Sequence, residues 1–230
     1  MCISGNEVFG MIRNFIFDRF IYPISRKFKR IYEAIYFRKL RANLKNRGFS
    51  LFSPNCYAGI IYHRLGLEYT SPTINLLFPV KKQYLRFVSN LEYYLEKDLV
   101  FINDPMYPCP VAILEDVKII FNHYDSIEQA EAAWNRRKKR VNYSNIFIIF
   151  DDIADAEYQD LLDFNSIQCA GKIILTAKKY ENIPNTIQIS KYKRNESMKP
   201  YLMDINLWTG KNAADKDFDF VNWLNSATVE

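Results

Sequence analysis

Strand-like segments alternate with helical segments after Gly48, and this alternation limits the possible folds more than any other feature. The strand-like segments are short runs of β-branched and aromatic residues, whereas the helical segments carry apolar residues at every third or fourth position. Chains of this kind fold into α/β proteins, because the helices cover the sheet that the strands build. We predict three layers, α/β/α, with a mixed, mostly parallel sheet that carries an antiparallel hairpin at residues 111–121.

The element boundaries follow from these patterns and from capping residues. Ser126 is a predicted helix N-cap, and Gly66 a predicted helix end. The predicted strands are residues 50–53, 73–78, 111–114, 117–121, 145–150, 172–176 and 186–190. The predicted helices of this region are residues 56–65, 81–97, 126–140, 156–164 and 217–225.

The first 47 residues differ from the rest of the chain in their charge. They hold 11 Lys or Arg against three Asp or Glu, whereas residues 48–230 hold 20 against 23. Two apolar stripes at helical spacing, one on each side of Pro23, predict a helix, a break and a second helix. We therefore predict a basic amphipathic helical arm, residues 1–47, before an α/β domain, residues 48–230.

Two placements of the arm are open. The favoured interpretation packs it on its own domain or on a partner subunit of an oligomer. The alternative lays it on an anionic membrane surface with its aromatic face inserted, since residues 9–22 are too few and too charged to span a bilayer. Nucleic acid is not an expected partner, because the chain has no RRM, KH or zinc-finger signature.

Glycine and cysteine usage exclude several classes of protein. No two of the 7 glycines have the spacing of a phosphate-binding loop. The 4 cysteines form no CxxC pair and follow no signal peptide, which favours reduced thiols and a cytoplasmic protein. No Cys or His pair has zinc-ligand spacing, so we assign no metal ligands from these residues.

Cys56 is the candidate nucleophile. It follows the strand at 50–53 and the predicted N-cap Asn55, where helix amides stabilise a thiolate or hold an anion, so we expect an acidic thiol. His63 is seven positions later, about 10 Å along the same helix, and cannot contact the thiol. A catalytic pair would therefore join Cys56 to His123. The competing interpretation makes the cysteine a packing residue and both histidines structural.

The helix at 126–140 carries a basic run beside its apolar face. At about 100° per residue, Arg137 lies next to the face of Trp134, whereas Arg140 points away from it. An uncompensated charge near the core is costly. Arg137 therefore either extends over Trp134 or binds an anion such as a phosphate or a sugar acid.

Asp151 and Asp152 follow directly after the strand at 145–150. Paired carboxylates at the end of a strand can hold a divalent metal against a diphosphate or accept ribose hydroxyls. The cofactor that this interpretation implies is a divalent metal with a nucleotide sugar. The competing interpretation makes the two acids ordinary caps.

Two stretches of the sequence are distinctive in combination. The first is residues 52–59, Phe-Ser-Pro-Asn-Cys-Tyr-Ala-Gly, continued through Tyr69 to residue 73, and the second joins His123 to residues 134–142 and 151–152. Over about residues 35–210 the chain resembles a bacterial family of unknown function, family nineteen-nineteen (DUF1919), whose members are often labelled exopolysaccharide biosynthesis proteins. Those members tend to carry Asn-Asn-Cys-Trp where this chain has Pro-Asn-Cys-Tyr.

The resemblance implies a bacterial cytoplasmic protein connected with surface polysaccharide production. We expect a transferase-like enzyme that acts on a phosphate-bearing sugar donor or a related activated group, with Cys56 as nucleophile and His123 as base. The alternatives are a non-catalytic assembly protein near the membrane and a papain-like cysteine hydrolase. The expected substrate-binding residues are Asn55, Tyr69, Trp134, Arg137, Arg140, Asn142, Asp151 and Asp152.

Overall fold

The computed structural model describes residues 22–153 and 156–227. Its helices are α1 (Tyr22–Asn43), α2 (Tyr57–Leu65), α3 (Lys81–Ser89), α4 (Leu91–Glu96), α5 (Ile127–Lys138), α6 (Tyr158–Ser166) and α7 (Phe220–Asn225). Its strands are β1 (Ser50–Phe52), β2 (Val100–Ile102), β3 (Val111–Leu114), β4 (Val117–Ile120), β5 (Ile146–Asp151), β6 (Gly171–Thr176) and β7 (Thr186–Gln188).

The α/β fold class is confirmed. Four parallel strands form the main sheet in the order β1-β5-β6-β7, with Phe52 opposite Ile148 and Asp151 opposite Leu175. The hairpin is antiparallel as expected, but it belongs to a separate sheet of order β2-β3-β4. The outer edge of β4 is occupied by Leu77, which bridges Ile120, so this edge pairs with a loop and not with the main sheet.

Two expectations for individual elements were wrong. Residues 73–78 are not a strand, because Asn75 adopts a φ of 63°, in the left-handed region that interrupts extended backbone. The expected helix at 81–97 is divided at Asn90, whose backbone is not helical, into α3 and α4. Strand β2 lies in a segment, residues 98–110, for which the sequence predicts neither a strand nor a helix.

The main sheet separates two hydrophobic cores. Successive side chains of a strand point to opposite faces, so Ile148 and Phe150 of β5 join one core and Phe147 and Ile149 the other. The first core also contains residues of α3, α4, α5, α6 and the small sheet. The second contains residues of α2 and α7. This arrangement is the three-layer architecture that the sequence predicts.

Helix α1 contacts the domain in both of its halves, with the ring of Phe28 edge-on to that of Trp208 in the amino-terminal half. Arg41 Nε donates to the carbonyl oxygen of Arg64 at 2.9 Å, and the ring of Phe37 meets that of His63 edge-on. The outward side of the helix carries the exposed residues Ile24, Ile31 and Ile35. The apolar stripe before Pro23 lies outside the described residues. No helix within the described ranges is long and apolar enough to cross a membrane.

A cysteine–histidine pair at the carboxyl end of the parallel sheet

The turn between β1 and α2 is held by its own side chains. Asn55 Oδ1 accepts a hydrogen bond from the amide of Tyr57 at 3.0 Å, and Ser53 Oγ accepts one from the amide of Ala58 at 3.0 Å. Cys56 is the residue that precedes α2, and Gly66 ends the helix in the left-handed conformation. The first amides of α2 are therefore occupied by protein groups.

Cys56 lies against the loop that follows β4. Its Sγ atom is 3.2 Å from Nε2 of His123, and Nδ2 of Asn122 donates to the sulfur at 3.7 Å. The loop reaches the cysteine because Leu77 pairs with Ile120 while the amide of Phe78 donates to the carbonyl oxygen of Pro54. One short segment thus joins the small sheet to the turn after β1.

The expectation of an acidic thiol was wrong for the free protein. Burial raises the pKa of the Cys56 thiol above its ordinary value, and the hydrogen bond from Asn122 lowers it to a smaller extent. The amides of Tyr57 and Ala58 that were expected to stabilise a thiolate are bound to Asn55 and Ser53. Cys56 is thus a half-buried thiol beside a histidine ring.

Asn55 connects the cysteine turn to the end of β5. Its Nδ2 donates to Oδ2 of Asp151 at 2.8 Å, and Oδ1 of the same carboxylate lies 2.5 Å from Nζ of Lys81. Asp151 and Lys81 are both buried. Nδ2 of Asn55 also lies 3.4 Å from the hydroxyl of Tyr201. This network fixes the turn that presents Cys56.

Asp152 accepts hydrogen bonds from two backbone amides, those of Ala177 at 2.8 Å and Met198 at 2.9 Å. Burial raises the pKa of this carboxyl group, and the two amide bonds oppose that shift. Both acids of the pair are therefore bound to protein groups. In residues 22–153 and 156–227, no group of three or more His, Cys, Asp or Glu side chains is arranged to hold a metal ion.

The expected residues of α5 and the loop after it are in different surroundings. Trp134 is buried between the rings of Phe87 and Phe121. Arg140 forms an ion pair with Glu68 at 2.7 Å. Asn142 donates to the carbonyl oxygen of Gly48 and accepts from Ser144, at the start of β1. Asn142 is therefore at the opposite end of β1 from Cys56.

Arg137 is buried and lies over an aromatic ring. Its Cζ is 4.9 Å from the ring centre of Tyr69, and Nη1 donates to the carbonyl oxygen of Ile74 and the hydroxyl of Tyr124. Tyr124 directly follows His123 in the chain. The structure therefore brings together Cys56, His123, Asn55 and Asp151, and it connects Arg137 to this loop through Tyr124.

Three residues of this region were absent from the sequence-based set. Asn122 contacts the thiol, Lys81 pairs with Asp151, and Tyr201 contacts Asn55. Of these three, only Asn122 could have been suggested by the sequence, because it is the neighbour of the predicted base His123. Lys81 and Tyr201 are remote in sequence from the groups that they contact.

The fold and the site define an α/β protein with a cysteine–histidine pair at the carboxyl end of a four-stranded parallel sheet. The chain belongs to the family described as Domain of unknown function (DUF1919), whose model matches residues 27–225. It is also similar to an uncharacterized protein of Haemophilus influenzae, with 30% identity over 190 residues that cover 83% of this chain and 90% of the relative.

Proposed function

We propose that this protein is a group-transfer enzyme in which Cys56 is the nucleophile and His123 the general base. The observation that supports the proposal is the 3.2 Å distance between Sγ and Nε2, which is within reach for proton transfer. Cys56 is half-buried, like Cys109 and Cys169, and of these three it is the one that contacts a histidine ring.

The contact between Sγ of Cys56 and Nε2 of His123 supports the following order of proton transfers. Nε2 of His123 takes the proton of Cys56 as the sulfur attacks the carbonyl carbon of an activated acyl donor. The leaving group departs with that proton, and a thioester remains on the sulfur. In the second half-reaction the histidine removes the proton of an acceptor hydroxyl, whose oxygen attacks the thioester. The products are an ester and the free thiol.

The acceptor decides between transferase and hydrolase. With a sugar hydroxyl the enzyme is an acyltransferase, and with water the same pair performs the papain-like hydrolysis that was the alternative expectation. We propose the transferase, with a phosphate-bearing donor and a role in surface polysaccharide biosynthesis. The support for that role is the family resemblance, and the support for the chemistry is the geometry of Cys56.

The site of action that we propose is an anionic membrane surface, with the protein otherwise in the cytoplasm. The support is α1, whose outward side combines exposed Ile24, Ile31 and Ile35 with basic residues such as Lys27 and Arg38. Apolar and basic side chains on one helix bind interfaces whose lipids are anionic.

The test is acylation of the full chain by p-nitrophenyl acetate, followed by mass spectrometry of the intact protein and its peptides. We expect one acetyl group on the peptide of Cys56 and none after Cys56→Ser. His123→Ala should slow acetylation about 100-fold or more, because a general base contributes roughly this much. Cys109→Ser is the matched control, because Cys109 is another half-buried thiol, and it should leave the rate unchanged.

Equal acetylation of Cys56 and Cys169 in the wild type would contradict the proposal, as would an unchanged rate in His123→Ala. Transfer is distinguished from hydrolysis by adding sugar alcohols to the acetylated protein. A transferase releases the acetyl group faster when the acceptor is present, whereas a hydrolase releases it at the same rate with or without one.

A further inference from the structure

Arg137 differs from the other buried basic side chains. In the described part of the chain three such side chains are buried, those of Arg64, Lys81 and Arg137. Arg64 pairs with Asp215 and Lys81 with Asp151. Within residues 22–153 and 156–227, Arg137 has no carboxylate within ion-pair distance.

The groups that do contact Arg137 are neutral. They are the carbonyl oxygen of Ile74 at 3.1 Å, the hydroxyl of Tyr124 at 2.6 Å and the ring of Tyr69. Neutral acceptors and a ring face offset part of the cost of burying a guanidinium but do not neutralise its charge. The surroundings are therefore short of one negative charge.

The hydrogen bonds of Arg137 use one corner of the guanidinium. Both are donated by Nη1, so Nε and Nη2 have no acceptor among the described residues. These two nitrogens form one edge of the group, and an oxyanion takes such an edge with two parallel hydrogen bonds. Neither nitrogen is among the fully buried atoms without a partner, which leaves them within reach of solvent.

The guanidinium edge formed by Nε and Nη2 of Arg137 is connected to the proposed catalytic pair through neighbouring residues. Tyr124, which holds Nη1, is the next residue after His123. Tyr69, which lies against the guanidinium, also lines a cavity of about 350 Å³ together with Gly59, Ile60 and His63. Those three residues are on α2, the helix that begins after Cys56, and the volume is that of a small-ligand site.

We propose that Arg137 binds a phosphate group of the donor substrate through Nε and Nη2, with the body of the donor in the cavity along α2. This inference rests on the proposed function for the identity of the donor. A phosphate fits because it supplies the missing negative charge and because a guanidinium edge matches its oxygens, which an ammonium group cannot do.

The experiment is titration calorimetry of the full chain with inorganic pyrophosphate, and with acetate as the carboxylate probe. We expect saturable binding of pyrophosphate to the wild type and a loss of about tenfold or more in affinity for Arg137→Lys, which keeps the charge but loses the edge. Arg136→Lys is the matched control, because Arg136 is the exposed neighbour on the same helix, and it should bind like the wild type.

Absence of binding to the wild type, equal binding by Arg137→Lys, or preference for acetate would overturn the inference. Cys56→Ser separates it from the proposed function. This variant should bind pyrophosphate like the wild type but should not be acetylated. Failure of pyrophosphate binding is therefore distinguishable from failure of the proposed nucleophile.

A measurement on the wild type covers the case in which Arg137→Lys does not fold. An arginine-selective dicarbonyl reagent should modify Arg137, and pyrophosphate should protect that peptide at least about tenfold more than the peptide of exposed Arg194. Equal protection of the two peptides, or no modification of Arg137 at all, would overturn the inference.

Discussion

At the scale of single residues, the site depends on partners that are distant in sequence. Cys56 and His123 could be predicted as a pair, because the chain has two histidines and helix geometry excludes His63. The partner of Asp151 could not. Lys81 meets it only because α3 packs beside the end of β5, which is a tertiary contact without a local pattern.

The buried pair of Lys81 and Asp151 gives the first prediction. Lys81→Met should lower the free energy of unfolding by about 3–5 kcal/mol, because it leaves the carboxylate of Asp151 buried without its counter-charge. Lys82→Met is the control: Lys82 pairs with Glu157 at the surface, and its loss should cost at most about 1 kcal/mol. Urea denaturation of both variants measures the difference, and equal effects would contradict the prediction.

At the scale of elements, side-chain pattern predicted the strands of the main sheet but not every extended-looking segment. Residues 73–78 have the composition of a strand, yet the positive φ of Asn75 turns the chain there. Asparagine adopts this conformation more readily than most residues, but a sequence does not show which asparagine will do so. The grouping of the hairpin with β2, and not with the main sheet, likewise depends on packing.

Helix α1 was expected to be amphipathic, and its sequence showed the apolar stripe but not the side that faces the domain. The aromatic residues Tyr36 and Phe37 turn inward, where Lys211 lies 4.3 Å from the ring centre of Tyr36 and His63 meets Phe37. Ile31 and Ile35 remain exposed. Both sides of the helix are therefore partly apolar, and only the three-dimensional contacts distinguish them.

The second prediction concerns this exposed side. The wild type should sediment with vesicles that contain anionic lipid. The double variant Ile31→Ser, Ile35→Ser should have an affinity for these vesicles that is lower by about tenfold or more, because each isoleucine buries apolar area in the interface. Ile102→Ser with Ile127→Ser removes two exposed isoleucines outside α1 and is the control. Equal binding by the two double variants, or none by the wild type, would contradict the prediction.

At the scale of the whole molecule, tyrosines connect the two cores to the segments around them. Tyr62 and Tyr84 are buried on opposite faces of the main sheet, and Tyr192 and Tyr201 tie the carboxyl-terminal segment to the second core. Burial raises the pKa of Tyr62 and of Tyr192 to about 12 and the pKa of Tyr84 well above its ordinary value. The buried tyrosines therefore make the stability of the whole fold dependent on pH in the alkaline range.

The last prediction is alkaline unfolding. A phenol whose pKa is raised by folding keeps its proton in the native state while the unfolded chain, with ordinary values near 10, releases it. The contribution of these phenols to the free energy of unfolding should thus be constant below pH 10. It should be lost as the pH rises towards 12. Circular dichroism should show cooperative loss of structure together with a sudden increase of phenolate absorbance at about 295 nm. A smooth phenolate titration near pH 10 with unchanged circular dichroism would show that these tyrosines ionise without unfolding. That result would contradict the prediction, because buried phenols can ionise near pH 10 only if the fold exposes them to water.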